Sequence, residues 1–102
     1  MRPLMAIVET IRFKLVDGFD VEKFREINIR MQREFMEPKH GFLSRRSAVS
    51  ADGEWLIIVT WTDQLAAQAV ISSFYGAPET QEFLAAIDLS TVQPGSYTLV
   101  EY

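Results

Sequence analysis

Apolar and polar positions alternate along this chain with two distinct periods. Residues 5–15, MAIVETIRFKL, follow a period of two. Met5, Ile7, Ile11, Phe13 and Leu15 fall on one face, and Ala6, Val8, Thr10, Arg12 and Lys14 on the other. Successive side chains of a strand point to opposite faces, so this pattern predicts a first strand. Asp17-Gly18-Phe19-Asp20 reads as a turn, with Asp20 placed to cap a helix by accepting the free N–H groups of its first turn. The period then changes. Val21, Phe24, Ile27, Met31 and Phe35 recur at spacings of three and four, which predicts a helix from Val21 to Glu37 with one buried stripe. Pro38 and Gly41 end it.

Phe42 to Ser50 reads as a second strand, polar enough to lie at a sheet edge. Asp52-Gly53 is a hairpin signal, and Glu54 to Trp61 is the third strand. Thr62 or Asp63 caps a helix from Gln64 to Tyr75, which Gly76-Ala77-Pro78 interrupts. A shorter helical piece, Glu79 to Ile87, turns Phe83, Leu84 and Ile87 inward. Gln93-Pro94-Gly95 reads as a turn and Tyr97 to Tyr102 as a last short strand. No repeat or linker divides the chain, so residues 1–102 are expected to form a single domain.

The order β-α-β-β-α-β predicts an α+β fold of ferredoxin-like type. It places two helices on one face of a four-stranded antiparallel sheet, with the first and third strands central. The third strand, EWLIIVTW, then raises a question. Trp55, Ile57, Val59 and Trp61 form one side, and Leu56, Ile58, Thr60 and Thr62 the other. Both sides are apolar in the middle, yet the helices can cover only one. An open antiparallel sheet normally shows water a polar face, and an exposed apolar patch marks an interaction site. A second copy packed face to face would cover it, which predicts a homodimer.

Composition narrows the function. The chain has no cysteine, which excludes disulfides, a thiol nucleophile and iron–sulfur ligation. Its one histidine, His40, has no carboxylate cluster beside it, so no metal is expected. The net charge is −4 and the longest basic run is Arg45-Arg46, a poor electrostatic footprint for nucleic acid. An RNA-recognition domain shares the element order, but its third strand carries a glycine and basic residues that EWLIIVTW lacks. No segment approaches the roughly 20 apolar residues of a membrane span. The apolar run Leu4–Val8 is also too short for a signal-peptide core, so a cytoplasmic location is expected.

Several stretches carry a family resemblance across nearly the whole chain. They are His40-Gly41-Phe42-Leu43 entering the second strand, Trp61-Thr62-Asp63-Gln64-Leu65-Ala66-Ala67 leading into an alanine-rich helix, and Phe83 in the second helical piece. In these the chain resembles the dimeric α+β barrel superfamily, and most of all its antibiotic-biosynthesis-monooxygenase-like group. The resemblance implies a homodimer built as an α+β barrel. Among its activities is cofactor-free oxygenation of polycyclic phenols, which would need neither metal nor flavin. Two branches fit poorly. The haem-degrading one uses an Asn on the first strand and a Trp and a His on the second long helix, and residues 5–15 and 64–88 lack them. The anthrone-oxygenase type keeps an amide on the third strand ahead of the tryptophan, where this chain has Leu56, Ile57, Ile58, Val59 and Thr60.

Oxygenation without a cofactor needs a base and a dry pocket. Glu9 lies between Ile7 and Ile11 on one face of a central strand, where desolvation would raise its pKa towards that of a general base. A local bulge or a salt bridge to Arg12, Arg45 or Arg46 is the alternative. His40 is the second candidate base, or simply a solvated turn residue. Trp61 is a candidate pocket wall or core packing. Asn28, at the edge of the helical stripe, can orient a substrate carbonyl or face solvent. Tyr75 can cover the pocket mouth or pack a helix end. Arg45 and Arg46 point to opposite faces, so at most one faces the pocket. Either can hold an anionic substrate, with Arg46 taken as the candidate, or serve the solubility of an edge strand. A non-catalytic ligand-binding or dimerisation module of the same fold accounts for the same pattern. The expected partners are a second copy and a small aromatic ligand.

Overall fold

The structure, a computed structural model, describes residues 5–100. Leu4 of the N-terminal apolar run and the last two residues of the expected final strand lie outside that range. The elements are β1 (Ile7–Leu15), α1 (Val21–Met31) with a π-helical turn at Gln32–Met36, β2 (Phe42–Val49), β3 (Trp55–Trp61), α2 (Gln64–Phe74), a 3-10 turn (Pro78–Thr80), α3 (Gln81–Ala86) and β4 (Ile87–Thr98). The sheet order is β2-β3-β1-β4, with every neighbouring pair antiparallel. The α+β, ferredoxin-like arrangement is therefore present, with β1 and β3 central. No helix among the described residues is long and apolar enough to cross a membrane.

Local chemistry explains the elements. Asp20 Oδ1 accepts from Glu22 N at 2.9 Å and Asp63 Oδ1 from Ala66 N at 2.9 Å, so each long helix begins on a carboxylate cap. The α1 stripe buries Phe24, Ile27 and Met31, whereas Val21, expected in that stripe, is exposed. The helix ends its α-helical part earlier than expected. Glu37 N donates to Gln32 O, five residues back, at 2.9 Å. This wider turn lets the adjacent Phe35 and Met36 both enter the core. On the helical face of the sheet, Trp55, Ile57, Val59 and Trp61 of β3 join Ile7 and Phe13 of β1. The centre is aromatic: Phe24 meets Trp55 edge-on at 4.9 Å between centroids, and Phe13 meets Phe83 at 5.8 Å.

The last strand differs from the sequence expectation. Gln93-Pro94-Gly95 is no turn, because these residues lie inside β4, opposite Arg12, Ile11 and Thr10. Proline is tolerated there because β4 is an edge strand. At Gly95 an added Cβ would lie 2.6 Å from Thr10 Oγ1 and 3.0 Å from the Tyr97 ring, so only glycine admits that ring. Between Arg12 and Lys14 the register jumps from Gln93 to Asp88, which pushes residues 89–92 out as a bulge. Thr91 Oγ1 replaces the lost ladder acceptor, taking Lys14 N at 2.9 Å.

Gly41 sets how α2 meets the sheet. Its φ is +84°, and a Cβ there would lie 2.5 Å from Ala66 Cβ and 2.7 Å from Thr62 Oγ1. Gly41→Ala is expected to destabilise the chain by about 2 kcal/mol, through backbone strain and the clash together. Urea unfolding measures this, and a loss below about 0.5 kcal/mol would show that α2 moves aside freely.

Candidate functional site

The helices do not cover the sheet evenly. On the β1–β4 side they leave a cavity of about 390 Å³, within the range of small-molecule sites. Its floor is Glu9 and Ile11 of β1 with Val59 and Trp61 of β3, and its helical wall is Val70, Phe74 and Phe83. The π-helical turn supplies Met36, and the β4 bulge supplies Leu89 and Val92 at the rim. The mouth is apolar: Ile71, Tyr75 and Leu89 line it and are all exposed.

Glu9 is the one charged side chain in that lining among the described residues. Register fixes its direction. It sits opposite Val59, between Ile7 opposite Trp61 and Ile11 opposite Ile57, so it shares the helical face. Burial raises its carboxyl pKa above the ordinary 4.5, and the Trp61 indole N–H beside it draws the pKa back down by less. Glu9 has no ion pair among the described residues.

Trp61 is 1% exposed, with the Phe42 ring edge-on at 5.7 Å. Its Nε1–H is enclosed and has no acceptor in hydrogen-bonding geometry among the described residues. The Glu9 carboxyl is near enough to feel the indole dipole but does not complete that bond. A buried donor left unpaired costs about 1–3 kcal/mol.

The cavity thus brings together Glu9, Trp61 and Tyr75, but not the other residues singled out from the sequence. His40 is exposed on its turn and borders a separate shallow depression with Lys39, Asp63, Leu65 and Ser73. Asn28 is buried and turned towards β2, not towards the cavity or solvent: its Nδ2 donates to Ser47 Oγ at 2.9 Å, and its Oδ1 accepts from Arg45 Nη2 at 2.7 Å. Arg46 is exposed on the opposite sheet face, beside Ile58.

Arg45, not Arg46, points towards the helices. It is 8% exposed, and burial lowers its pKa to about 10. Gln32 Oε1 accepts from Nη1 at 3.1 Å, and the guanidinium lies 5.8 Å from the centroid of Phe83. Hairpin arithmetic is the available signal: Val49 pairs with Trp55 across the Asp52-Gly53 turn, so counting back puts Arg45 opposite Val59 on the Trp61 face. Among the described residues, no three His, Cys, Asp or Glu side chains gather as a metal site needs.

No protein-family profile and no curated protein matches the chain by sequence. Solved structures do match. SnoaB, a cofactor-independent oxygenase from Streptomyces nogalater, superposes with a TM-score of 0.78 at 18% identity, covering 96% of both chains. A protein from Nitrosomonas europaea, provisionally named an antibiotic biosynthesis monooxygenase, has a TM-score of 0.75 at 11% identity, over 98% of this chain and 95% of that one. The fold is the one these proteins share. A conserved protein from Methanosarcina mazei also has it, with a TM-score of 0.69 at 13% identity over 92% of each chain. At such identities the likeness establishes architecture, and the site has to speak for the chemistry.

Proposed function

We propose that the protein is a cofactor-independent oxygenase of a small polycyclic aromatic compound, working as a homodimer. The observation that carries this is Glu9: a carboxylate with a raised pKa, alone among apolar walls, at the floor of a ligand-sized cavity. The name of SnoaB supports the same reaction class.

In this reading an activated methylene or phenol binds with its acidic proton towards Glu9. Glu9 takes the proton and leaves a delocalised carbanion or phenolate. One electron passes to dioxygen, giving superoxide and a substrate radical. Their recombination forms the C–O bond, and the hydroperoxide loses water to leave a carbonyl. Two hydrogens of the substrate and one O2 thus become a carbonyl oxygen on the substrate and H2O, with no further reductant. The apolar walls keep bulk water from the reactive anion. Because the third strand lacks the amide of the anthrone-oxygenase type, the direct test supplies a phenol, 1-hydroxyanthracene, to the purified protein and follows oxygen uptake with formation of the 1,4-quinone. Uptake of one O2 per quinone, well above the buffer rate, is expected. A rate equal to buffer alone would sink the reading.

The dimer follows from the sheet face that the helices leave bare. Across the register, Val8, Thr10, Leu56, Ile58 and Thr60 form a half-buried patch, with Tyr97 beside Val8. Sedimentation velocity is expected to give twice the 11.7 kDa chain mass. Ile58→Lys, at the patch centre, is expected to give a folded monomer. A wild-type monomer at micromolar concentration would leave the patch without its proposed cover.

A further inference from the structure

The structure assigns a joint role to Glu9 and Trp61, which together read a single hydroxyl oxygen of the ligand. The carboxylate accepts its hydrogen, and the indole N–H donates to the same oxygen. This rests on the function proposed above and narrows its substrate to hydroxyarenes and enols with an otherwise apolar body.

Three observations converge. The Trp61 donor is buried, unpartnered among the described residues and in the cavity wall. The Glu9 carboxyl faces it from the neighbouring strand without closing the bond, so both groups have hydrogen-bonding capacity left for a visitor. The rest of the lining is almost wholly aliphatic and aromatic carbon. A hydroxyl is the group that satisfies both neighbours at once, because its oxygen donates to one and accepts from the other. An ether offers no hydrogen to Glu9. A second carboxylate would be repelled by Glu9 in an apolar setting. After deprotonation the indole N–H still points at the oxygen, where it stabilises the new negative charge. The exposed apolar mouth, Ile71, Tyr75 and Leu89, suits the far end of the ring system.

The test uses wild-type protein with 1-hydroxyanthracene and 1-methoxyanthracene, read by two-dimensional ¹H–¹⁵N NMR and calorimetry. The chain has two tryptophans, so its two indole N–H signals report separately. Trp55 is absent from the cavity lining and serves as the control. The hydroxyarene is expected to move the Trp61 indole proton downfield and leave Trp55 in place. The methyl ether is expected to bind roughly 10- to 100-fold more weakly. Trp61→Phe, which keeps an aromatic ring and loses the donor, should weaken both compounds and leave the hydroxyarene the tighter, because its hydrogen still goes to Glu9. Equal affinities in the wild type, or an occupied cavity with an unmoved Trp61 signal, would overturn the hydroxyl pair while leaving oxygenation to stand on its own assay. Tight hydroxyarene binding with the expected shift but no oxygen uptake would uphold the pair and reject the oxygenase. No binding of either compound would overturn the pair.

Discussion

Glu9→Gln is expected to lower turnover by about 10²- to 10⁴-fold without loss of folding. The substitution keeps the side chain's size and removes only its ability to take a proton. Its effect on stability should run the other way. Burial raises the Glu9 pKa above 4.5 in the folded chain. Between that value and the raised one, the folded state holds more protons than the unfolded state. The contribution of Glu9 to stability is therefore most favourable below 4.5, falls as pH climbs through this window, and stays lower above it. The amide carries no such penalty, so the variant should melt at or above the wild-type temperature at neutral pH. Wild-type turnover should rise through the same window as the base loses its proton. Tyr75, the other titratable group at the cavity, sits at the exposed mouth. A variant that loses activity and stability together would make Glu9 a structural residue.

The two periods of the chain carry most of the fold. The period-two run places β1, the three–four spacing places α1, and Asp20 marks where that helix starts. The apolar face of β3 opposite its tryptophans is legible in the sequence as a surface in need of a cover. Other features depend on contacts between distant segments. The first half of β4, Asp88-Leu89-Ser90-Thr91, reads as loop because its polar groups serve a bulge and not a ladder. Gln93-Pro94-Gly95 has the composition of a turn, and only its place on a sheet edge lets it be strand. Glu9 is legible as a carboxylate on the apolar face of β1. The orphaned indole proton of Trp61 is not, since a missing partner leaves no mark in a sequence. Asn28 reads as a border residue because its partners, Arg45 and Ser47, come from a distant strand, β2.

That contact between α1 and β2 yields the second large effect. Asn28→Ala is expected to cost about 3 kcal/mol, because it strips an acceptor from a buried cation and does not merely delete a neutral hydrogen bond. The Arg45 guanidinium has no carboxylate partner among the described residues, only the amide oxygens of Asn28 and Gln32 and the Phe83 ring nearby. Removing the charge as well should reverse much of the loss. The double variant Asn28→Ala with Arg45→Met is expected to regain at least about half of it, since a flexible apolar chain can fill the same space. A double-mutant cycle by urea unfolding isolates this coupling. Additive losses would mean that the guanidinium finds water when Asn28 is gone, so that no charge is stranded. Strong coupling would mean that the chain maintains a cation in its core beside Phe83, a ring that also lines the cavity. On that outcome the Asn28→Ala single variant should also weaken hydroxyarene binding, because the wall that Phe83 provides would lose its support from behind.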